Sequence, residues 1–284
     1  MPTIKIRQDS GQGGRSVIAN AVNQTVLSSI NSVDFPHIFA AQQEIAHWNF
    51  MQLNPELLRE PTRYDANYKD TIGHAGEDMA AALYRLKNEN EYILQQIIVK
   101  LSSFLPDYVK LNVRDDKANK QFVFELENVS GKVFSSRVLS EGTLRLLVLC
   151  VMLFDDKFRG LLCFEEPENG IHPFRMRAMV ELLHALSSDF EDDDDNLRQV
   201  IVNTHSPKLL YYLKYIYNDH DPNVSIWFSK LVNYIAHTDY GNVKLRISKI
   251  LPITSAYKDL FTKSEYEMTI ADAEQYLETE RMEA

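Results

Sequence analysis

The sequence predicts an α/β fold with a mainly parallel sheet between helices, and three observations carry that prediction. Two runs, Leu161–Phe164 and Gln199–Val202, are apolar at nearly every position, which is typical of strands buried on both faces. Helical patterns precede the first run and follow both, so helix and strand alternate. The two following helices are predicted to begin near Pro173 and Pro207, because proline is favoured in the first turn.

Composition sets the broad class of the protein. The 284 residues, 45% hydrophobic and 25% charged, are typical of a globular chain with a sizeable core. The longest apolar run, Leu146–Phe154, is too short for a bilayer, and the N-terminus lacks a signal-peptide core, so we expect a cytoplasmic protein without a membrane partner. The net charge of −10 argues against coating nucleic acid unaided but allows a local basic groove.

The first 138 residues are predicted to form an insertion and a mixed helical and β region. Thr3–Arg7 alternates like a short strand, and a weakly helical stretch runs from about Pro36 to Trp48. Apolar residues at three- and four-residue spacings predict one or two helices over about 77–104. Short strands are then expected at Val109–Val113, Phe122–Leu126 and Lys132–Phe134, with a hairpin turn at Gly131.

Residues 139–284 are predicted to form a second unit. An apolar helix, Thr143–Phe154, precedes the two buried strands, and an acidic run, Glu191–Asp195, is interpreted as a solvated loop. Cys150 and Cys163 lie in apolar runs and are expected to be buried free thiols in a reducing compartment. Three strands (Ser225–Phe228, Leu231–Ala236 and Val243–Ile250) and a helix at about 268–281 are expected to end the chain.

The sequence LSEGT, Leu139–Thr143, stands at the start of the apolar helix. Ser140 occupies the expected N-cap, and Gly142 allows close backbone approach to a ligand. The free N–H groups of a helix start attract anions, so a γ-phosphate fits there. Alone, the motif is also an ordinary helix start.

The sequence LLCFEEPENGIHP, Leu161–Pro173, places two carboxylates at the end of a buried strand. Ligands of open α/β sheets bind at the carboxyl ends of strands. Glu165 can hold Mg²⁺, and Glu166, pointing the other way, can polarise an attacking water. Two solvent-exposed acids in a loop would explain neither the buried strand before them nor the tight turn after them.

The sequence VIVNTHSP, Val200–Pro207, ends the second buried strand in polar residues. If the strands are parallel neighbours, His205 lies at the same edge as Glu165 and Glu166. A neutral imidazole there can hydrogen-bond a γ-phosphate or a water.

In this order, the three motifs resemble those of ABC ATPases: LSEGT the signature motif, LLCFEEPENGIHP the Walker B strand with its D-loop, and NTHSP the switch-histidine loop. The chain is similar to the RecF/SMC-like branch, and especially to AAA-family ATPases of bacterial defence and repair. The resemblance covers residues 139–207 and extends more loosely to Trp48–Pro61 and Gly76–Leu83. It implies an ABC-ATPase-like layered fold, binding of ATP and Mg²⁺, and ATP hydrolysis with ATP-dependent dimerisation.

The resemblance also implies individual roles. Glu165 would be the Walker B acid at Mg²⁺, although aspartate is usual there; Glu166 would be the general base and His205 the switch histidine. Asn169, Gly170 and His172 would form the D-loop at a dimer interface. The signature residues Ser140, Glu141, Gly142 and Thr143 would bind nucleotide, with Ser140 and Gly142 contacting the γ-phosphate of ATP on the other subunit.

The family's phosphate loop, G-x-x-x-x-G-K-[ST] (Walker A), does not occur in this sequence. The nearest segment, DSGQGGRS (Asp9–Ser16), has aspartate for the first glycine and arginine for lysine, so a glycine turn between strands is favoured. The lobe with that loop would come from a missing segment or from a partner ATPase. A scaffold that does not hydrolyse ATP is the alternative function, DNA or a nuclease effector are possible partners, and a fused nuclease is disfavoured by the scattered C-terminal acids.

Overall fold

The computed structural model describes residues 2–7, 14–18, 24–29, 35–64, 68–188, 197–213, 224–238, 241–254, 268–269, 271–273 and 275–276. Its α-helices are α1 (Pro36–Ala46), α2 (Pro55–Arg59), α3 (Met79–Glu89), α4 (Ile93–Ser102), α5 (Glu141–Phe154), α6 (Met176–Leu186) and α7 (Pro207–Leu213). Its strands are β1 (Thr3–Ile6), β2 (Arg15–Ile18), β3 (Asn49–Met51), β4 (Thr62–Arg63), β5 (Tyr108–Asp116), β6 (Gln121–Asn128), β7 (Val133–Ser135), β8 (Gly160–Glu165), β9 (Arg198–Asn203), β10 (Trp227–Thr238), β11 (Gly241–Thr254) and β12 (Met268–Thr269). Short 3₁₀ helices lie at Val26–Ser29, Ser136–Val138 and Pro173–Arg175.

A parallel sheet of order β3-β8-β9 carries the candidate site. The two strands that the sequence predicts, β8 and β9, pair in parallel from Gly160↔Arg198 to Glu165↔Asn203, which confirms that prediction. The third strand, β3, pairs in parallel with β8 and was not predicted. The α/β fold class is confirmed.

One face of this sheet is packed into the main hydrophobic core. Met51 and Phe164 lie side by side in the register and are each 2% exposed, and Val202 packs beside them. The same core contains the buried residues of α5, which is apolar almost all round, and of α6. This face is called the closed face below.

The opposite face is covered only in part. Leu161, two residues before Cys163 in β8 and so on the same face, is 8% exposed. The next row of the register is Phe50, Cys163 and Ile201. Phe50 is 60% and Ile201 49% exposed, and this row is called the open face below.

The region before the LSEGT motif forms a second, antiparallel sheet that packs with α3 and α4. Its order is β4-β6-β5, with β7 added on β6. Gly131 has φ +76° in the β6–β7 hairpin, a conformation that glycine adopts without strain, so the predicted turn is confirmed. The predicted pair of helices and three strands are also confirmed.

The glycine-rich segment near the N-terminus lies between two antiparallel strands, β1 and β2, although residues 8–13 are outside the described residues. Arg15 begins β2, so a strand follows the glycines, whereas a phosphate loop leads into a helix. The predicted glycine turn itself lies mostly outside the described residues. A boundary at residue 138 stays a prediction; the main core takes residues from both sides of it.

The C-terminal part differs from the prediction in detail. Two long antiparallel strands, β10 and β11, replace the three expected strands. The strand β12 occupies the start of the predicted helix, and residues 271–273 and 275–276 are helical. The remainder of that helix and the acidic run Glu191–Asp195 lie outside the described residues.

Candidate functional site at the carboxyl edge of the parallel sheet

The carboxyl ends of β8 and β9 bring the predicted carboxylates and histidine to one edge. Asn203 Nδ2 donates to Glu165 Oε2 at 2.9 Å, so the strand-tip acid is held by its neighbour in the register. The Glu166 N–H donates to Asn203 O at 2.9 Å and continues the ladder by one residue. His205 follows two residues later, and its Nε2 lies 4.0 Å from Glu166 Oε1. The predicted shared edge is confirmed.

Glu166 has an unusual backbone conformation. Its φ of +44° lies in the left-handed region, which costs a residue with a side chain of the order of 1 kcal/mol or more. The turn that follows holds it there, because Asn169 N–H donates to Glu166 O at 3.1 Å. Asn169 Nδ2 also donates to Glu166 Oε2 at 2.6 Å. One carboxylate oxygen is thereby oriented, and the other faces His205.

These side chains are accessible enough to act on a ligand. The side chain of Glu166 is 41% and that of His205 77% exposed. A carboxylate at this position can accept a proton from a water, and an imidazole can hydrogen-bond an anionic oxygen.

The oxygen donors at the strand tip fit a magnesium ion. Mg²⁺ prefers one or two carboxylates and keeps several waters, and the exposed Glu165 supplies one such carboxylate. Within the residues the structure describes, no group of three or more His, Cys, Asp or Glu could hold a metal without other ligands. Glu165 would thus be the carboxylate that this edge supplies to the ion.

The start of α5 is capped as the LSEGT sequence predicts. Ser140, which is exposed, accepts the Thr143 N–H on its Oγ at 3.2 Å. The Thr143 Oγ1 lies 2.8 Å from the same Oγ and is buried, so this hydroxyl serves the cap. Ser140 is the hydroxyl of the motif that faces solvent.

Glu141 and Gly142 join this helix start to the turn after β8. Arg145, 5% exposed, donates to Glu141 Oε1 at 2.9 Å and to Leu53 O at 3.0 Å. A methyl group on Gly142 would lie 3.2 Å from Gly170 O, and one on Gly170 would overlap the Glu141 carboxylate. Gly170 also has φ +71°, a conformation that glycine adopts without strain. Position 170 therefore requires glycine for two reasons, the close approach of Glu141 and the backbone conformation.

The end of the same turn is exposed. His172 caps the 3₁₀ helix Pro173–Arg175 by accepting the Phe174 N–H on Nδ1 at 3.4 Å. The two rings lie 5.1 Å apart, and Phe174 is 89% exposed. Phe174 is therefore an exposed apolar side chain next to the predicted D-loop.

Three further residues belong to the site and were not predicted. Asn203 holds Glu165, and the buried Arg145 fixes Glu141. Glu168 is a buried acid whose Oε1 accepts a hydrogen bond from Thr204 Oγ1. The pattern EEPE contains a signal, since three acids follow one apolar strand, but it does not tell which acid turns inward.

The chain belongs to the family described as "AAA domain, putative AbiEii toxin, Type IV TA system", whose model matches residues 22–210. It is thus an AAA-type ATPase domain by family. None of the curated proteins matches the chain. In the described part of the chain, no helix is both long and apolar enough to cross a membrane.

Several solved structures are similar at low identity. A chain from a study of ATP-driven dimerisation and DNA-stimulated activation of SMC ATPases has a TM-score of 0.40 and 13% identity, over 70% of this chain and 96% of that one. The Smc head domain with a coiled coil and joint from Pyrococcus yayanosii has a TM-score of 0.38 and 10% identity, over 72% and 31%. The Pyrococcus furiosus Smc head bound to the C-terminal domain of ScpA has a TM-score of 0.35 and 10% identity, over 72% and 44%.

Proposed function

We propose that this chain carries the hydrolytic half of an ABC-type ATPase site, which converts ATP and water to ADP and phosphate with Mg²⁺. The observation that carries the proposal is the meeting of Glu165, Glu166 and His205 at one sheet edge. Two strand-tip carboxylates with different partners can divide metal binding and water activation, which is the division that phosphoryl transfer to water needs.

In this proposal each group at the edge has one role. Glu165 binds Mg²⁺, which neutralises charge on the phosphates when it is present. Glu166 accepts the proton of the attacking water while the bond from the γ-phosphorus to the ADP oxygen breaks. His205 donates a hydrogen bond to the γ-phosphate from the opposite side. Asn169 orients Glu166 by its 2.6 Å hydrogen bond.

We further propose that ATP closes a dimer through the signature motif and the D-loop. Ser140 is exposed at a helix start, where an anion is favoured, and Gly142 presents bare backbone. These groups would bind the γ-phosphate of ATP on a second subunit. The turn with Asn169, Gly170 and His172 would meet the same partner, and the exposed Phe174 would bury its ring there.

The remaining phosphate contacts would come from a lobe that carries a lysine-bearing loop. The exposed row on the open face supports the proposal of an additional lobe, because parallel sheets are ordinarily covered on both faces. A cavity of about 510 Å³ runs along it and is lined by Phe50, Cys163 and Ile201, and also by Glu165 and Asn203 of the site. An apolar helix lying there with its N-terminus at the edge would cover the face and supply phosphate-binding N–H groups together. A partner ATPase or another segment would supply it.

The biological role that we infer is DNA repair or anti-phage defence, with DNA or a nuclease-type effector as candidate partners. The family description supports the defence side, since it names a putative toxin of a toxin–antitoxin system. The alternative is a nucleotide-dependent scaffold that does not hydrolyse ATP, and the open face favours it for the chain taken alone.

The test is ATP turnover and size-exclusion chromatography of the complex that contains the phosphate-loop lobe. Glu166→Gln is expected to lower turnover about 10²–10⁴-fold while ATP still drives dimerisation, because binding groups are retained. Ser140→Arg is expected to abolish ATP-dependent dimerisation, since charge and bulk fill the γ-phosphate position.

Matched controls are Glu181→Gln on α6 and Ser130→Arg in the β6–β7 turn, which change the same residue types outside the site. Both are expected to leave turnover and dimerisation at the parent level. Parent-rate turnover by Glu166→Gln would refute its role as base. ATP-dependent dimerisation of Ser140→Arg would reduce LSEGT to a helix cap.

A further inference from the structure

Glu168 differs from the two acids before it in the same turn. Glu165 is exposed, and the Glu166 side chain is 41% exposed, whereas Glu168 is 8% exposed. Its Oε1 accepts the Thr204 hydroxyl, and its buried Oε2 has no hydrogen-bond partner among the described residues. A buried carboxylate with an unsatisfied oxygen lowers stability, so packing alone does not account for this residue.

The partner hydroxyl organises the loop after β9. Thr204 Oγ1 donates a hydrogen bond to Glu168 and accepts one from the Ser206 N–H at 3.0 Å. The hydroxyl therefore acts as donor and as acceptor at the same time. Ser206 Oγ in turn accepts the Leu209 N–H at 3.3 Å at the start of α7. The loop from Thr204 to Ser206 is therefore fixed by contacts at both of its ends.

That loop carries His205. The side chain of His205 is exposed, and the contact that relates it to the site is its 4.0 Å approach to Glu166. The position of the ring relative to Glu166 thus depends on how the turn after β8 and the loop after β9 are held together. Three hydrogen bonds do this: Asn203 Nδ2 to Glu165 Oε2, Glu166 N–H to Asn203 O, and Thr204 Oγ1 to Glu168. Among them, the bond from Thr204 to Glu168 is the one made by a neighbour of His205.

We infer that Glu168 is a positioning residue, which holds His205 opposite Glu166 through the hydroxyl of Thr204. The consequence of this inference for catalysis rests on the proposed function, because the Thr204–Glu168 contact would position His205 at the proposed catalytic edge. The contacts from which it is argued are all made within this chain and do not involve a nucleotide. Loss of the hydrogen bond between Thr204 and Glu168 would let the His205 ring move away from the Glu166 carboxylate while the fold persists.

The test is an NMR measurement on the full chain without nucleotide. Histidine side chains are isotope-labelled, the His205 ring signals are assigned with His205→Gln, and spectra are recorded at one fixed pH. In the parent, Glu166→Gln is expected to shift the His205 ring signals, because the carboxylate is 4.0 Å away. In a Thr204→Val background the shift is expected to disappear, since valine keeps the shape but lacks the hydroxyl.

Two further variants separate positioning from stability. Glu168→Met removes the acceptor together with its unpartnered buried oxygen, so the thermal midpoint is expected to stay near the parent value while the His205 response is lost. Thr204→Ser keeps the hydroxyl and is expected to restore the response.

A His205 response to Glu166→Gln that persists in Thr204→Val or in Glu168→Met overturns the inference. Because no ATP is present, this result is independent of hydrolysis. If Glu166→Gln proves active in the turnover assay, the catalytic assignment fails, and the positioning contact stands or falls on the NMR result.

Discussion

The two faces of the parallel sheet are built from the same three strands but differ in what covers them. Phe164 on the closed face is 2% exposed, whereas Phe50, one row along on the open face, is 60% exposed. The closed face shares a core with α5 and α6, and the open face continues into the candidate site at Glu165. Among the described residues, the sheet is packed into the main core on one side, while the row of Phe50 and Ile201 on the other side is exposed.

The largest expected difference between the two sides is in thiol reactivity. Cys150, on the closed side in α5, is fully buried, and burial raises its pKa to about 12. Cys163, on the open face, is half-buried, and burial raises its pKa by less. The thiolate is the form that reacts with an alkylating reagent, so alkylation of either thiol becomes faster as the pH rises. Cys150 must in addition be exposed by opening of the protein before it can react.

We expect a Cys163→Ala variant, which keeps Cys150, to react with iodoacetamide on the order of 10³-fold more slowly than a Cys150→Ala variant, since global opening is rare. The unfolded proteins serve as the control, in which both thiols should react alike. Equal native rates would mean that the open face is covered. In a complex with the phosphate-loop lobe, Cys163 should become protected.

Phenylalanine truncation gives the next largest contrast. Phe164→Ala should lower the free energy of unfolding by about 3–5 kcal/mol, because it leaves a cavity in the closed core. Phe50→Ala should change it by only about 0.5 kcal/mol, as is usual for an exposed side chain. Urea denaturation of both variants measures the two values. A cost above about 2 kcal/mol for Phe50→Ala would place that ring in a core.

The sequence predicts that Glu165, Glu166 and His205 share one edge of the sheet, and it does so for a physical reason. Two short runs that are apolar at consecutive positions and alternate with helices indicate neighbouring strands of a parallel sheet. The polar residues that end such strands meet at one edge, which brings Glu165, Glu166 and His205 together. The same run cannot show that one face lacks a cover, because its residues are apolar in either case. Phe50 was missed as part of a strand because three residues are too few to show a period.

The inward turn of Glu168 was beyond the sequence for a different reason. Its burial follows from the left-handed Glu166 and the turn behind it, which the letters EEPE do not encode. The contacts of Arg145 could not be predicted from the sequence either. Besides Glu141, Arg145 donates to Leu53 O, which is distant in the chain.

We propose that this chain holds the base and the metal ligand of the site while the lysine-bearing phosphate loop comes from elsewhere, and Mg²⁺-dependent ATP turnover by the purified chain alone tests this. We expect weak ATP binding and little or no turnover. Arg15→Ala should leave both unchanged, because Arg15 begins a strand that pairs with β1. Robust turnover that requires Mg²⁺ and is lost in Arg15→Ala would contradict it, and would make Asp9–Ser16 a phosphate loop.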